Sequence, residues 1–381
     1  MSGITERIRP LVVLLVAMAV IAAACGSDDA ESSASDSASA SDSASASASA
    51  SGSGSASASA SAPSDSASAS ASASASASEP ADDGEAAPET ITITDAIGEQ
   101  EVPIGDQNIY ALDELMGTLL ITLDVVPATI ATFFEDPLLA PILEPRTDLV
   151  EFGTIESVAA TRPSIILGVA HPNHMEVVED YAGIAPTVLP DFTSTWQDQT
   201  RLIAQVVGRE DRADAVIGAV EARIEALAAE LEAEGLAGER ATIIQDFGGS
   251  YFAYGPTTIS GAMLEGLGFT RSEAQSGSEN FGFIPLAQEL VPDETAVPFV
   301  FGVQTTSPDG AGRTASLRDD PLVDAEGRTV VDVGEAWFNN TALGAWIVLD
   351  DVEAAIFGRG EITGLDGAAA AFDSLLAAAE G

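Results

Sequence analysis

The chain has 381 residues, with 14 basic and 60 acidic side chains, so its formal net charge is -46. Every basic residue is Arg, and so little positive charge argues against a protein that binds nucleic-acid phosphates. The missing Lys excludes a Walker A phosphate loop and Schiff-base chemistry, while 2 His and 1 Cys leave few nucleophiles, general bases or metal ligands. The composition therefore favours a binding protein over an enzyme.

The first 24 residues have the pattern of an export signal. Arg7 and Arg9 precede an apolar run over residues 11–24, which ends in small residues directly before Cys25. This run is too short for a comfortable membrane span, whereas a charged start and a short apolar core are typical of signal peptides. The pattern resembles a bacterial lipoprotein signal, so we expect cleavage before Cys25 and a lipid on that residue. An ordinary signal peptide with an incidental cysteine is the alternative.

The predicted mature chain carries 12 Arg against 59 acidic residues, because cleavage removes Glu6, Arg7 and Arg9. Such a surface repels anionic lipid headgroups, so attachment to the outer face of the cell membrane depends on the lipid. Since Cys25 is the single cysteine, the exported part has no disulfide to form.

A tract over residues 32–78 consists almost entirely of alternating Ser and Ala. A period of two is typical of a strand, but neither residue offers apolar area to bury, so we expect the tract to stay unfolded. A flexible coil of about 47 residues has an r.m.s. reach of roughly 40 Å. Residues 25–89 are therefore predicted to be a tether, and O-glycosylation of this hydroxyl-rich segment is compatible with that role.

Strand and helix patterns alternate in the first half of the folded part, which begins near Thr90. Gly98 marks the turn of a hairpin, Asp113 is a helix N-cap, and Pro163 ends a helix just before an apolar strand. The predicted elements in chain order are strands over 90–94, 101–104 and 109–112, a helix from 113, a helix over 154–161, and strands over 164–168 and 186–189.

The most periodic stretch, residues 211–234, predicts one long amphipathic helix. Its apolar residues recur at steps of three and four, and Gly235 follows the last of them. At 1.5 Å per residue this helix is about 35 Å long. The predicted elements after it are strands over 241–245 and 251–254, helices over 260–267 and 285–290, strands over 298–303 and 329–333, and a helix over 341–357.

These patterns predict an α/β fold with two α/β lobes that one long helix bridges, and a ligand cleft between the lobes. The N-terminal lobe is expected over 90–208, the bridging helix over 209–235 and the C-terminal lobe over 236–381.

Short motifs stand in a fixed order along this part of the chain. They are TIESV at 154–158 before the RPSIIL strand, IAPTV at 184–188, VGR at 207–209, LEGLG at 264–268 and VLDDV at 348–352. This order resembles ABC-transporter solute-binding proteins of the ferric-siderophore and cobalamin class, over residues 90–357. One departure is Arg162-Pro163-Ser164, where that family usually has a K-P-D-L-I pattern.

The resemblance implies a ligand clamped between two lobes with only small hinge motion, and delivery to a membrane permease that a separate ATPase drives. In that family an acidic residue on each lobe docks against Arg of the permease. Glu156 in TIESV and Glu289 in LAQEL fit the two positions, although Ala287 stands where Ser is common. The alternative is that both are ordinary solvated surface residues, as most of the 60 acidic side chains must be.

Ligand contacts are expected in the loops that follow strands. His171 and His174 follow the strand over 164–168, but two His without a nearby Cys fall short of the three or four ligands of a first-row metal site. We therefore expect them to line the cleft as polar groups and not to bind a metal.

Four aromatic residues near strand ends are also candidate ligand contacts, because aromatic faces stack on bulky ligands. They are Trp196, Tyr251, Tyr254 and Trp337. Core packing is the alternative for each of them, and it is the expectation for Phe247 and Phe338.

Arg271 and Arg313 are the candidate cations of the cleft. Because anionic catecholate and citrate complexes need cationic clefts and the chain has few Arg, we expect a ferric hydroxamate as the cargo. Cobalamin and haem are alternatives within the same importer type, and His171, His174 and Tyr251 could ligate haem iron.

Two other classes are weighed against the importer. An exported hydrolase is disfavoured, because the folded part has no G-x-S-x-G or H-E-x-x-H motif and only 2 His. An adhesin is the third class. The favoured hypothesis is a monomeric, lipid-anchored iron(III)-siderophore receptor whose partners are an ABC permease and its ATPase, with no covalent group besides the lipid on Cys25.

Overall fold

The computed structural model describes residues 89–105, 108–133, 136–305 and 314–381, without the side chains of Glu279, Asn280 and Leu365. The predicted signal peptide, Cys25, nearly all of the tether and Arg313 lie outside these residues. The described part belongs to one unit that begins at Ala87. None of its helices is long and apolar enough to cross a membrane.

The first described element is the hairpin that the sequence predicts. Strands β1 (Thr90–Thr94) and β2 (Glu99–Pro103) pair antiparallel, with Thr92 opposite Glu101. Gly98 in the turn has a φ of 129°, which residues with a side chain rarely adopt.

The N-terminal lobe is built on a five-stranded parallel sheet in the order β5-β4-β3-β6-β7. Helices cover it, and its central strands are fully buried apolar triplets, as expected for a parallel sheet. Its strands are β3 (Ile109–Ala111), β4 (Thr129–Thr132), β5 (Leu149–Glu151), β6 (Ile165–Leu167) and β7 (Thr187–Val188), and its helices are α1 (Glu114–Thr122), α2 (Ala140–Leu143), α3 (Ile155–Thr161), α4 (Pro172–Met175), α5 (Val178–Ala182) and α6 (Trp196–Val207).

Asp113 caps α1 as predicted. Its carboxylate accepts a hydrogen bond from the Met116 backbone N–H at 2.7 Å and a longer one from the Val169 N–H at 3.3 Å. The side chain is fully buried, and burial raises the pKa of Asp113 to about 6. The cap therefore also ties α1 to the loop after β6.

The long helix α7 runs over Glu210–Ala233, within one residue of its predicted bounds. It packs against α6 of the N-terminal lobe and against two helices of the C-terminal lobe, α10 (Ala342–Phe357) and α11 (Ala368–Ala378). Arg223 on α7 stacks over the Trp346 ring and donates to Asp350 at 2.6 Å and to Glu353 at 3.0 Å. These contacts fix the helix to the C-terminal lobe.

The C-terminal lobe has a mixed sheet in the order β10-β9-β8-β11-β12. β8, β11 and β12 are parallel, whereas β9 is antiparallel to both of its neighbours. Its strands are β8 (Ala241–Asp246), β9 (Tyr251–Tyr254), β10 (Phe283–Leu286), β11 (Phe299–Val303) and β12 (Thr329–Val333), and its helices are α8 (Ile259–Gly266), α9 (Val291–Glu294), α10 (Ala342–Phe357) and α11 (Ala368–Ala378). The predicted α/β fold with two lobes and one long helix is confirmed.

The prediction of a helix over residues 285–290 is wrong. Residues 283–286 form β10 instead, paired with β9, and a 3-10 turn over Gln288–Leu290 follows. Pro285 is tolerated because β10 is an edge strand, where a residue without an N–H need not break a ladder.

Helix α11 was not predicted, and it packs against α2 of the N-terminal lobe. Arg146 lies over the Phe372 ring at 5.4 Å and 3.7 Å from the Asp373 carboxylate. The end of the chain therefore contacts the first lobe.

Candidate ligand-binding cleft

Four aromatic side chains follow the ends of neighbouring strands in the N-terminal lobe. Phe133 comes directly after β4, Phe152 after β5, and His171 and Phe192 a few residues after β6 and β7. Because parallel strands end at one edge of the sheet, the loops bring these rings together. Phe133 lies 4.9 Å from Phe152 and 5.4 Å from His171, and His171 lies 5.6 Å from Phe192.

The C-terminal lobe continues this row of rings. Phe281 meets Phe192 edge to face, with ring centroids 5.2 Å apart and planes at 84°. We call Phe152, Phe133, His171, Phe192 and Phe281 the aromatic line. The first four are half-buried and Phe281 is 45% exposed, so the line presents apolar surface from both lobes.

Polar contacts join the lobes beside the aromatic line. The Asn339 amide donates to the Asp136 carboxylate at 2.9 Å, and the Asn340 amide donates to the Ser194 carbonyl at 2.9 Å. Phe192 and Asn340 also line a cavity of about 10 Å³ between the lobes, roughly the space of one water molecule. The line therefore lies at the place where the two lobes meet.

The two His of the chain are neutral at the cleft. Burial and the neighbouring His174 lower the pKa of His171 to about 4. His174 is fully buried, and burial lowers its pKa as well. The Nδ1 of His174 lies 2.9 Å from the Val169 carbonyl, so Nδ1 carries the proton, and the Asp113 carboxylate is 3.9 Å away. Within the described residues, no group of three or more His, Cys, Asp or Glu could hold a metal ion.

The four aromatic residues predicted as ligand contacts are buried. Trp196 is 2% exposed, Tyr251 6%, and Tyr254 and Trp337 are fully covered. The Tyr251 hydroxyl donates to Asp320 at 2.6 Å, the Tyr254 hydroxyl to Gln245 at 2.7 Å, and the Trp337 indole N–H to Asp351 at 2.7 Å. A ligand could reach Trp196, Tyr254 and Trp337 only if these rings were first uncovered.

Phe247 and Phe338, which were expected to pack in the core, are exposed. Phe247 is 38% exposed and Phe338 42%. Each lies just past a buried segment, where the chain turns to the surface. That expectation is therefore wrong.

Arg271 is committed to the interior of the C-terminal lobe. Its guanidinium donates to the Tyr254 carbonyl and, at 3.0 Å, to the Gln275 side chain. Burial lowers the pKa of Arg271 to about 10. Arg313 lies outside the described residues.

The two predicted docking residues are both on the surface. Glu156 is exposed in the first turn of α3, where a hydrogen bond with the Thr154 side chain lowers its pKa. Glu289 is exposed in the 3-10 turn that follows β10. Both positions leave the carboxylate available to a partner.

A second concave region lies wholly within the C-terminal lobe. This cavity of about 380 Å³ is lined by Asp246, Tyr251, Asp319 and Asp320 among others. The Tyr251 and Asp320 side chains bond to each other there. It is acidic and is separate from the aromatic line.

Sequence reasoning missed four rings of the aromatic line: Phe133, Phe152, Phe192 and Phe281. Phe133 and Phe152 follow strands directly, which was the available signal, but β4 and β5 themselves were not predicted. The candidates chosen from the sequence were instead Trp196, Tyr251, Tyr254 and Trp337, on the argument that aromatic faces stack on bulky ligands.

Comparison with known proteins matches part of the chain to a protein family. Residues 139–293 match the family model of the periplasmic binding proteins. The two-lobed α/β fold with one long helix is shared with the similar solved structures named below.

A curated relative is a probable siderophore-binding lipoprotein, YfiY, of Bacillus subtilis (strain 168). It is 23% identical over 220 residues, which is 54% of this chain and 67% of the relative. Two similar solved structures are Staphylococcus aureus SirA complexed with staphyloferrin B and the FhuD protein from S. pseudintermedius. The first has a TM-score of 0.59 at 19% identity, covering 70% of this chain and 99% of its own. The second has a TM-score of 0.58 at 16% identity, covering 70% and 98%.

These relatives are solute-binding proteins and not enzymes. This agrees with the expectation from composition and motifs that the chain is a binding protein.

Proposed function

We propose that the chain is the lipid-anchored binding component of an ABC importer, and that it captures an iron(III)-siderophore of the hydroxamate type. The observation that carries the proposal is the aromatic line, which offers apolar rings from both lobes at their junction. A bulky ligand clamped between the lobes would bury these half-exposed rings, and each aromatic side chain buries 150–250 Å² when covered (typical range).

The charges beside the aromatic line support the hydroxamate. Glu114 is 2% exposed and its carboxylate accepts from the Phe133 N–H at 3.0 Å, while Asp136 lies at the lobe junction. Acidic side chains beside the line disfavour a strongly anionic catecholate or citrate complex, and favour a neutral or cationic ferric hydroxamate.

Anchoring and delivery belong to the same proposal. The lipoprotein pattern ending at Cys25 and the relative named as a lipoprotein support a lipid anchor on the outer face of the membrane. A related structure comes from a protein described as a component of a ferrichrome ABC transporter, which supports a permease with its ATPase as the partner. Exposed Glu156 and Glu289, one on each lobe, are the proposed contacts for permease Arg.

Calorimetric titration of the purified chain without residues 1–24, carrying Cys25→Ser to keep it free of lipid, tests the cargo. The ligands are ferrioxamine B, a ferric triscatecholate, ferric citrate, cobalamin and haem in one buffer. We expect saturable binding of ferrioxamine B at sub-micromolar concentration and weaker binding of the anionic complexes. Tighter binding of the triscatecholate would overturn the hydroxamate assignment, and preference for haem or cobalamin would replace the siderophore.

Uptake of iron in cells tests delivery. Charge reversal by Glu156→Arg together with Glu289→Arg should abolish uptake, because each Arg would repel permease Arg, while binding by the purified protein stays unchanged. The matched control reverses exposed Glu179 and Glu361, one on each lobe, and should preserve uptake. Normal uptake by the first double variant would contradict the docking role.

A further inference from the structure

Phe281 has a strained backbone. Its φ is 60°, in the left-handed region that residues with a side chain avoid. Among the described residues, Asp124 and Arg162 are the other non-glycine positions with positive φ. Arg162 is the C-cap of α3, and Asp124 directly follows the C-cap of α1, sites where left-handed residues commonly end a helix. Phe281 instead lies inside the 3-10 turn Glu279–Gly282, so a helix end does not explain its conformation.

The residue after Phe281 is anchored. The Gly282 carbonyl accepts from the Gly255 N–H at 2.7 Å, directly after β9. A Cβ on Gly282 would lie 2.5 Å from the Thr257 hydroxyl, so only glycine fits there. This close packing at the start of α8 holds the turn and fixes the direction in which the Phe281 ring points.

The strained turn keeps an apolar ring in the open. Phe281 is 45% exposed, and its contact is with Phe192 of the other lobe. Residues in strained backbone conformations cluster at ligand sites, and a bound ligand would cover this exposed ring. Phe281 and Phe192 thus form a pair of facing rings across the cleft.

We propose that Phe281 is a specificity residue, whose ring packs against the aliphatic chain of a linear hydroxamate siderophore opposite Phe192. This inference rests on the proposed function and extends it to the part of the cargo that is recognised. A phenyl ring has no hydrogen-bonding group, so it favours methylene surface over the polar iron centre. The ring should therefore distinguish hydroxamates by the length of their hydrocarbon chain.

The test compares two ferric hydroxamates on the same purified chain. Ferrioxamine B has long methylene segments, whereas ferric acetohydroxamate has only methyl groups. We expect Phe281→Ala to weaken ferrioxamine B binding about tenfold, the scale of one lost aromatic contact, and to change acetohydroxamate binding less than about twofold. Phe247→Ala is the matched control, since Phe247 is a similarly exposed ring on the same lobe, and should leave both affinities unchanged.

A second variant separates the ring from folding. Phe281→Gly removes the ring and also relieves the backbone strain, so we expect the same loss of ferrioxamine B affinity together with a higher Tm than wild type.

The outcomes distinguish this inference from the proposed function. If wild type binds ferrioxamine B and both Phe281 variants match it, or if Phe281→Ala weakens both ligands equally, the specificity role is overturned and the function stands. Unchanged affinity with reduced uptake in cells would assign the ring to the permease and overturn the inference. If wild type binds neither hydroxamate, the proposed function fails and Phe281 loses its role with it.

Discussion

The two lobes place their aromatic side chains differently. In the N-terminal lobe, Phe133, Phe152 and Phe192 follow short parallel strands and stay half-buried at the cleft. In the C-terminal lobe, Tyr251 and Tyr254 lie on an antiparallel strand and are buried with their hydroxyls bonded. The rings that follow the parallel strands thus reach the edge of the sheet, whereas the two Tyr rings on the strand belong to the core.

The largest expected effect is on the free energy of unfolding, and it separates two neighbouring residues of the C-terminal lobe. Trp337 is fully buried against Phe301 and bonds to Asp351, while Phe338 is 42% exposed. Trp337→Ala should lower the free energy of unfolding by about 4 kcal/mol, since it opens a cavity and leaves a buried carboxylate short of a donor. Phe338→Ala should lower it by less than about 1 kcal/mol. Chemical denaturation measures both, and equal effects would contradict the assignment of Trp337 to the core.

The next largest effect is on ligand affinity, and it distinguishes a variant in the N-terminal lobe from one in the C-terminal lobe. Phe192→Ala removes a ring that contacts both His171 and Phe281, and should weaken ferrioxamine B binding about tenfold. Tyr251→Phe removes a buried hydroxyl from Asp320 and should reduce stability by about 1 kcal/mol without changing affinity. Calorimetry together with thermal unfolding measures the pair. Tyr251→Phe weakening the binding more than Phe192→Ala would place the ligand in the C-terminal lobe.

The smallest effect is a difference in pH dependence between the regions. Burial raises the pKa of Asp351 in the C-terminal lobe from 3.8 to about 7. Between these two pH values the folded state therefore keeps a proton on Asp351 that the unfolded state has released. Its contribution to stability is therefore full at low pH and is lost as pH rises to about 7. His171 in the cleft has its pKa lowered to about 4 from 6.5, so its contribution is present above 6.5 and is lost as pH falls to about 4.

Unfolding curves between these pH values separate the two groups. Asp351→Asn should flatten the loss of stability between acid and neutral pH, whereas His171→Asn should reduce the loss on acidification. If either variant leaves the pH dependence of the free energy of unfolding unchanged between the two pKa values of its residue, the environment assigned to that residue is wrong.

The sequence predicts the fold further than it predicts the site. The long helix α7, the Asp113 cap and the hairpin at Gly98 follow from local patterns of periodicity and capping, and the structure has all three. The strand β10 does not, because Pro285 looks like a break until the edge position beside β9 is known. Local sequence cannot show which strand lies at the edge of a sheet.

The site depends on contacts that are distant in sequence. Phe192 and Phe281 are far apart along the chain, and their rings meet only because the two lobes lie next to each other in the fold. Likewise, the sequence predicts that Trp337 lies in a loop, but its indole is buried in the core, where it donates a hydrogen bond to Asp351 on α10. The aromatic residues chosen from the sequence are therefore core residues, and the phenylalanines of the cleft were not predicted.

A structure of the complex with ferrioxamine B tests the central claim most directly. The account predicts the ferric complex between the lobes, with its aliphatic chain against Phe192 and Phe281 and with Tyr251 still bonded to Asp320. A complex seated in the acidic cavity of about 380 Å³ beside Tyr251 in the C-terminal lobe, with the aromatic line left uncovered, would contradict it.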